Sequence, residues 1–196
     1  IDIMERISTG IDCLDDKMQG GFVTGSVNLI TGKTGTGKSA FCASFLYAGV
    51  YKNEVGVYVT TEESETDIKA DINAMFNWDF ESLEKKKFIN FLVIEPMIPT
   101  NFNRDAEMSR ILKIYVYDLY SRIEEIVKKT KAKRLVIDSS TIIEMFIQDD
   151  YLRRVALMKL IGDIKKLGVT TILTGTVPEG TDLLSIGGII EFFVDS

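Results

Sequence analysis

Short β-branched apolar runs alternate with longer amphipathic stretches, which predicts an α/β fold with a mostly parallel central sheet and helices on both faces. The runs at residues 27–31, 55–61, 88–94, 135–138 and 169–174 are apolar or β-branched almost throughout, as strands covered on both sides are. Helix-length stretches at 39–51, 65–76, 104–131 and 149–167 separate them. Such strands connect by right-handed crossovers. Ligands of these sheets bind beyond the carboxyl ends of the strands.

The first strand, residues 27–31, runs into Gly32-Lys33-Thr34-Gly35-Thr36-Gly37-Lys38-Ser39-Ala40, where a helix begins. Gly, four residues, Gly-Lys and Ser or Thr is the phosphate-loop pattern. Its glycines let the backbone curl so that N–H groups converge on an anion. The helix start adds its dipole and unpaired donors at the same place. Lys38 then reaches the outer phosphates and the Ser39 hydroxyl can ligate magnesium. A nucleoside triphosphate is the expected ligand, held by residues 32–40.

The second strand, residues 55–61, ends on Glu62-Glu63, and Ser64 or Thr66 can cap the helix that follows. Trp78 and Phe80 can hold a base or pack a helix end, and packing is the expectation. Pro96 and Pro99 close the strand at 88–94. The helix at 104–131 ends in Lys128, Lys129, Lys131, Lys133 and Arg134. That cluster can bind phosphate backbones, but lysines also favour a helix C-terminus and a solvated turn, the expected reading. Gly168 stands in the stop position after the helix at 149–167. A terminal strand is expected over 189–194.

Four signals fall at carboxyl ends of strands: the phosphate loop, Glu62-Glu63, Asp138 and Thr174. Asp138 can hold magnesium opposite Ser39. Hydrolysis also needs a group that orients or deprotonates water, and the chain has no histidine. Glu62 is the expected water-polarising residue. Glu63, on the other side of the chain by alternation, tunes its neighbour or holds position. Thr174 either senses the γ-phosphate or is an ordinary strand end.

Composition bounds these readings. The chain has 196 residues, 45% apolar and 27% charged, which suits one domain. Two cysteines, Cys13 and Cys42, and no histidine leave no zinc-finger spacing. Cys42 is expected as buried packing. No apolar run reaches the length of a membrane span, the first residues lack secretory features, and a cytoplasmic setting is expected. The net charge of −6 argues against a general nucleic-acid binder.

The segments Ser8-Thr9-Gly10-Ile11-Asp12-Cys13-Leu14-Asp15 and Gly20-Gly21-Phe22-Val23-Thr24-Gly25-Ser26, the phosphate loop, Phe45-Leu46-Tyr47-Ala48-Gly49 and the run from Val57 to Ser64 together resemble the KaiC-like ATPases of the RecA-like superfamily. Leu135-Val136-Ile137-Asp138-Ser139-Ser140 is similar to that family's magnesium strand. Residues 168–174 and 187–191 continue the likeness. The resemblance implies a RecA-like core, ATP and magnesium at a cleft that a neighbouring subunit often completes, and homo-oligomeric rings, commonly hexamers. It also implies that Glu62 activates water. Glu65 stands where the family often has proline. The chain ends at Ser196, before the region from which family members send basic residues into a neighbour's site. A single domain over 1–196, truncated at its C-terminus, is therefore expected.

Magnesium-dependent ATP hydrolysis coupled to an oligomer or partner is the leading functional expectation. DNA binding, as in RecA and RadA, is an alternative, weakened because residues 175–196 carry no lysine or arginine. A nucleotide-gated scaffold with little turnover is another.

Overall fold

The computed structural model describes residues 4–31, 37–95, 108–139, 150–175 and 190–193. Its centre is a six-stranded sheet built from β3 (Val27–Thr31), β4 (Gly56–Thr60), β5 (Ile89–Val93), β6 (Arg134–Asp138), β7 (Thr170–Gly175) and β8 (Ile190–Phe193). The order is β5-β4-β6-β7-β3-β8, and every pairing is parallel. β1 (Arg6–Ile7) and β2 (Phe22–Val23) form a separate antiparallel ladder around α1 (Asp12–Lys17).

Strand alternation sorts the core into two layers. Val57, Val59, Leu135, Ile137 and Leu173 face one side, packed with Leu119, Ile123, Leu160 and Ile164. Those four belong to α5 (Met108–Thr130) and α6 (Asp150–Lys166). Ile30, Tyr58, Val136 and Ile172 face the other side, with Cys42, Phe45, Ile68 and Phe80. Their helices are α2 (Lys38–Val50), α3 (Glu65–Phe76) and α4 (Phe80–Lys85).

Helix ends follow local chemistry. Of the two candidate caps of α3, Ser64 serves: its hydroxyl accepts from the Asp67 N–H at 3.2 Å. Asp79 caps α4 by accepting from the Ser82 N–H at 3.0 Å. After α6 the Gly168 N–H donates to the Lys165 carbonyl at 3.1 Å. Trp78 packs, as expected, between Tyr47 at 4.0 Å and Phe76 at 4.3 Å between ring centroids.

One expectation is corrected. Arg134 is no member of a solvated basic cluster: it is fully buried on the α2 side of the sheet. Its Nη1 donates to the carbonyls of Ser8 and Phe45, both at 2.7 Å, and its Nη2 to the Ser8 hydroxyl at 3.1 Å. Nε pairs with Glu54 at 3.3 Å, and the guanidinium lies 4.8 Å from the Phe45 ring centroid. Burial lowers its pKa from the ordinary arginine value, and the Glu54 charge works against that. A buried charge persists when it is paired and hydrogen-bonded, and four of the five guanidinium N–H groups have these partners. The exposed part of the cluster is thereby reduced to Lys128, Lys129, Lys131 and Lys133.

Candidate functional site at the carboxyl edge of the sheet

Asp138 ends β6 on the α2 face of the sheet, between two hydroxyl donors. Its Oδ2 accepts from Tyr58 Oη at 2.7 Å and its Oδ1 from Thr174 Oγ1 at 2.6 Å. Register explains the convergence. Tyr58 pairs with Val136, two residues before Asp138, so all three side chains share a face. Thr174 follows Leu173, the partner of Ile137, and so lies level with Asp138. Burial foremost, then the Cys42 and Asp138 charges, raises the Tyr58 phenol well above its ordinary pKa. It therefore acts as a donor.

β4 and β6 are also stitched together beyond their last paired residues. The Thr61 N–H donates to the Asp138 carbonyl at 3.0 Å, and Thr61 Oγ1 accepts from the Ser139 N–H at 3.1 Å. The peptide between Asp138 and Ser139 is cis. Ser139 Oγ in turn donates to Glu62 Oε1 at 3.1 Å. Glu62 is exposed, and Glu63 is largely exposed but partly desolvated at its carboxylate. The Glu63 N–H donates to Thr60 Oγ1 at 3.2 Å, which holds the turn after β4. Partial burial, followed by the charges of Asp138, Asp71, Glu62 and Asp67, raises the Glu63 pKa above the usual carboxylate value. The Glu62 side chain accepts from Ser139, while the Glu63 contact to Thr60 is made by its backbone N–H.

The head of α2 completes this edge. Gly37 caps the helix with φ of 90°, a left-handed conformation that a side chain would resist. Lys38, Ser39 and Ala40 form the first turn. Gly32, Lys33, Thr34, Gly35 and Thr36 lie outside the described residues. Cys42, fully buried one turn further on, reports the local field. Burial raises its thiol pKa most, Asp138 raises it further, and Lys38 lowers it. The phosphate-loop lysine and the strand-end carboxylate thus act on one residue.

Ser39 and Asp138 supply a hydroxyl and a carboxylate, the hard oxygen donors that magnesium takes. Among the described residues no group of three Cys, Asp or Glu side chains forms a metal cage. Magnesium commonly binds through one or two protein oxygens together with phosphate and water. The donor set therefore fits that ion.

Other features lie elsewhere. A cavity of about 580 Å³ opens between α5 and α6, lined by Leu112, Val116, Tyr120 and Val155 among others. It is on the opposite face of the sheet from α2. Among the described residues no helix is long and apolar enough to cross a membrane. Tyr58 is the contact that sequence reasoning missed. It sits inside an apolar run, and only the register shows it sharing a face with Asp138.

A parallel sheet in this strand order, with a phosphate-loop sequence leading into α2 and a carboxylate ending β6, defines a RecA-like core of the P-loop NTPase class. A family model described as "ATPase: KaiC" matches residues 7–196, and the chain belongs to that family. It is 32% identical to a circadian clock oscillator protein KaiC of Prochlorococcus marinus, over 98% of this chain and 37% of the relative. It is 34% identical to the protein of the same name from Parasynechococcus marenigrum, over 98% of this chain and 36% of the relative. A UPF0273 protein of Methanopyrus kandleri is 29% identical over 89% of this chain and 68% of its own length. The chain thus spans little more than a third of the clock relatives it matches.

Proposed function

We propose that this chain is a RecA-like domain that binds ATP with magnesium and hydrolyses it to ADP and phosphate. The observation that carries the reading is the meeting of Asp138, Thr174, Ser139 and Glu62 at the carboxyl edge that also receives the head of α2. Residues 32–40 hold the phosphates through backbone N–H groups, and Lys38 reaches the β- and γ-oxygens. Ser39 and Asp138 hold magnesium, which neutralises charge on the phosphates when bound. Glu62 orients the attacking water and takes its proton, while the γ-phosphoryl leaves the β-phosphate oxygen. Ser139 fixes one Glu62 oxygen, so the other is the one offered to water. Glu63 holds position: its N–H donates to Thr60 Oγ1 and steadies the turn that carries Glu62.

The family likeness supports a homo-oligomeric ring in which a neighbour completes each site, with turnover coupled to ring or partner conformation. The test is phosphate release with ATP and magnesium across a protein concentration series, with Lys38→Ala as the blank. Release per subunit that rises with concentration and vanishes in the blank supports a shared, working site. Tight ATP binding without release sinks hydrolysis and leaves a nucleotide-gated scaffold. The DNA alternative gains nothing from the structure, since Arg134 leaves the basic cluster for the core.

A further inference from the structure

We propose that Tyr58 is a positioning residue for the magnesium-holding carboxylate: its phenol fixes one oxygen of Asp138 while Thr174 fixes the other. The inference rests on the reading of Asp138 as a magnesium residue and adds a role for a side chain inside the sheet.

A carboxylate with one donor can still turn about its Cβ–Cγ bond. Donors on both oxygens remove that freedom, and Asp138 has them at 2.7 and 2.6 Å. Each oxygen keeps a second lone pair with which to accept from a metal-bound water or meet the ion. The tyrosine is itself held firmly. It is fully buried, and its ring stacks on Phe91 with centroids 5.6 Å apart and planes 19° apart. Its backbone lies in β4, flanked by β5 and β6. The phenol spans the two-residue offset between Val136 and Asp138, about 7 Å at the usual strand rise. Phenylalanine would fill the same space against Phe91 and leave Oδ2 of Asp138 without this donor. Partners that orient a metal ligand in this way are worth about 10- to 100-fold in metal affinity.

The experiment uses manganese as a paramagnetic stand-in for magnesium. Its binding to the chain saturated with ADP is titrated by electron paramagnetic resonance for wild type, Tyr58→Phe and Asp138→Asn. ADP affinity in EDTA and the thermal midpoint are measured alongside. The expected result is manganese binding about tenfold weaker or worse in Tyr58→Phe, with metal-free ADP affinity unchanged. A purely structural tyrosine would move the thermal midpoint and leave the manganese affinity alone, and that result overturns the proposal. If Asp138→Asn binds manganese as wild type does, the reading of Asp138 falls, and the role of Tyr58 falls with it. Should Tyr58→Phe fail to fold, 3-fluorotyrosine installed at position 58 alone keeps the phenol in place. Its fluorine resonance is expected to shift when magnesium joins the ADP complex, and an unmoved resonance overturns the proposal.

Discussion

The hydroxyl of Ser139 donates to Oε1 of Glu62 at 3.1 Å, so the residue after the β6 carboxylate holds the candidate water-orienting group at the end of β4. If Glu62 takes the proton from water, Glu62→Gln lowers phosphate release by about 10²- to 10⁴-fold and leaves ATP binding in place. Ser139→Ala keeps the carboxylate but frees its rotation, and a smaller loss in kcat than that of Glu62→Gln is expected. Steady-state phosphate release beside nucleotide titration checks both. Equal losses in the two variants would contradict the division of roles.

Glu63 makes stability depend on pH with a definite sign. Its folded-state pKa lies above the ordinary 4.5, chiefly from burial and then from Asp138, Asp71, Glu62 and Asp67. The favourable contribution of its protonated form is complete below about pH 4.5 and is lost as pH rises through the folded value. Glu63→Gln removes that loss. Its thermal midpoint relative to wild type is expected to rise between pH 4 and pH 7. A difference that stays flat across the series would remove the electrostatic explanation.

Arg134→Met takes the donors from one buried and one half-buried carbonyl and leaves Glu54 without its partner. Breaking a buried pair from one side costs about 3–5 kcal/mol. Urea unfolding should show this as a lower midpoint with an unchanged slope. A shift below about 1 kcal/mol would mean that the ion pair and its carbonyl contacts are not a stabilising lock.

Gly49 lies in α2, where alanine is ordinarily the better helix former by about 1 kcal/mol. Here an added Cβ would stand 2.7 Å from Arg134 Cδ and Nε and 2.7 Å from the Glu54 carbonyl. The arginine is pinned and the carbonyl is backbone, so neither gives way cheaply. Gly49→Ala is expected to destabilise by about 1–3 kcal/mol, and a stabilised variant would show that the arginine can move.

The strands and long helices were legible because buried parallel strands read as apolar runs and the phosphate loop marks one strand end. Asp138, Thr174 and Glu62 could be assigned to one edge for the same reason. The small elements were harder. β1 and β2 have two residues each and α1 has six, too short for a period to show. α4 did carry a signal, the Asp79 cap, hidden beside the aromatic pair Trp78 and Phe80. Arg134 was misread because its lysine neighbours are exposed, while its partners Ser8 and Phe45 lie 126 and 89 positions away in the chain. Strand order was likewise beyond local pattern, and with it the meeting of Tyr58 and Asp138.

β6 begins at Arg134 and ends at Asp138, roughly 13 Å apart at the usual strand rise. A slip of two residues along a neighbour would keep every side chain on its own face, so apolar patterning alone does not forbid it. The guanidinium does, because a slip would pull it from the Ser8 and Phe45 carbonyls. The start of the strand therefore acts as a gauge for its far end. A change near Ser8 can misplace the carboxylate at the opposite edge without touching anything there.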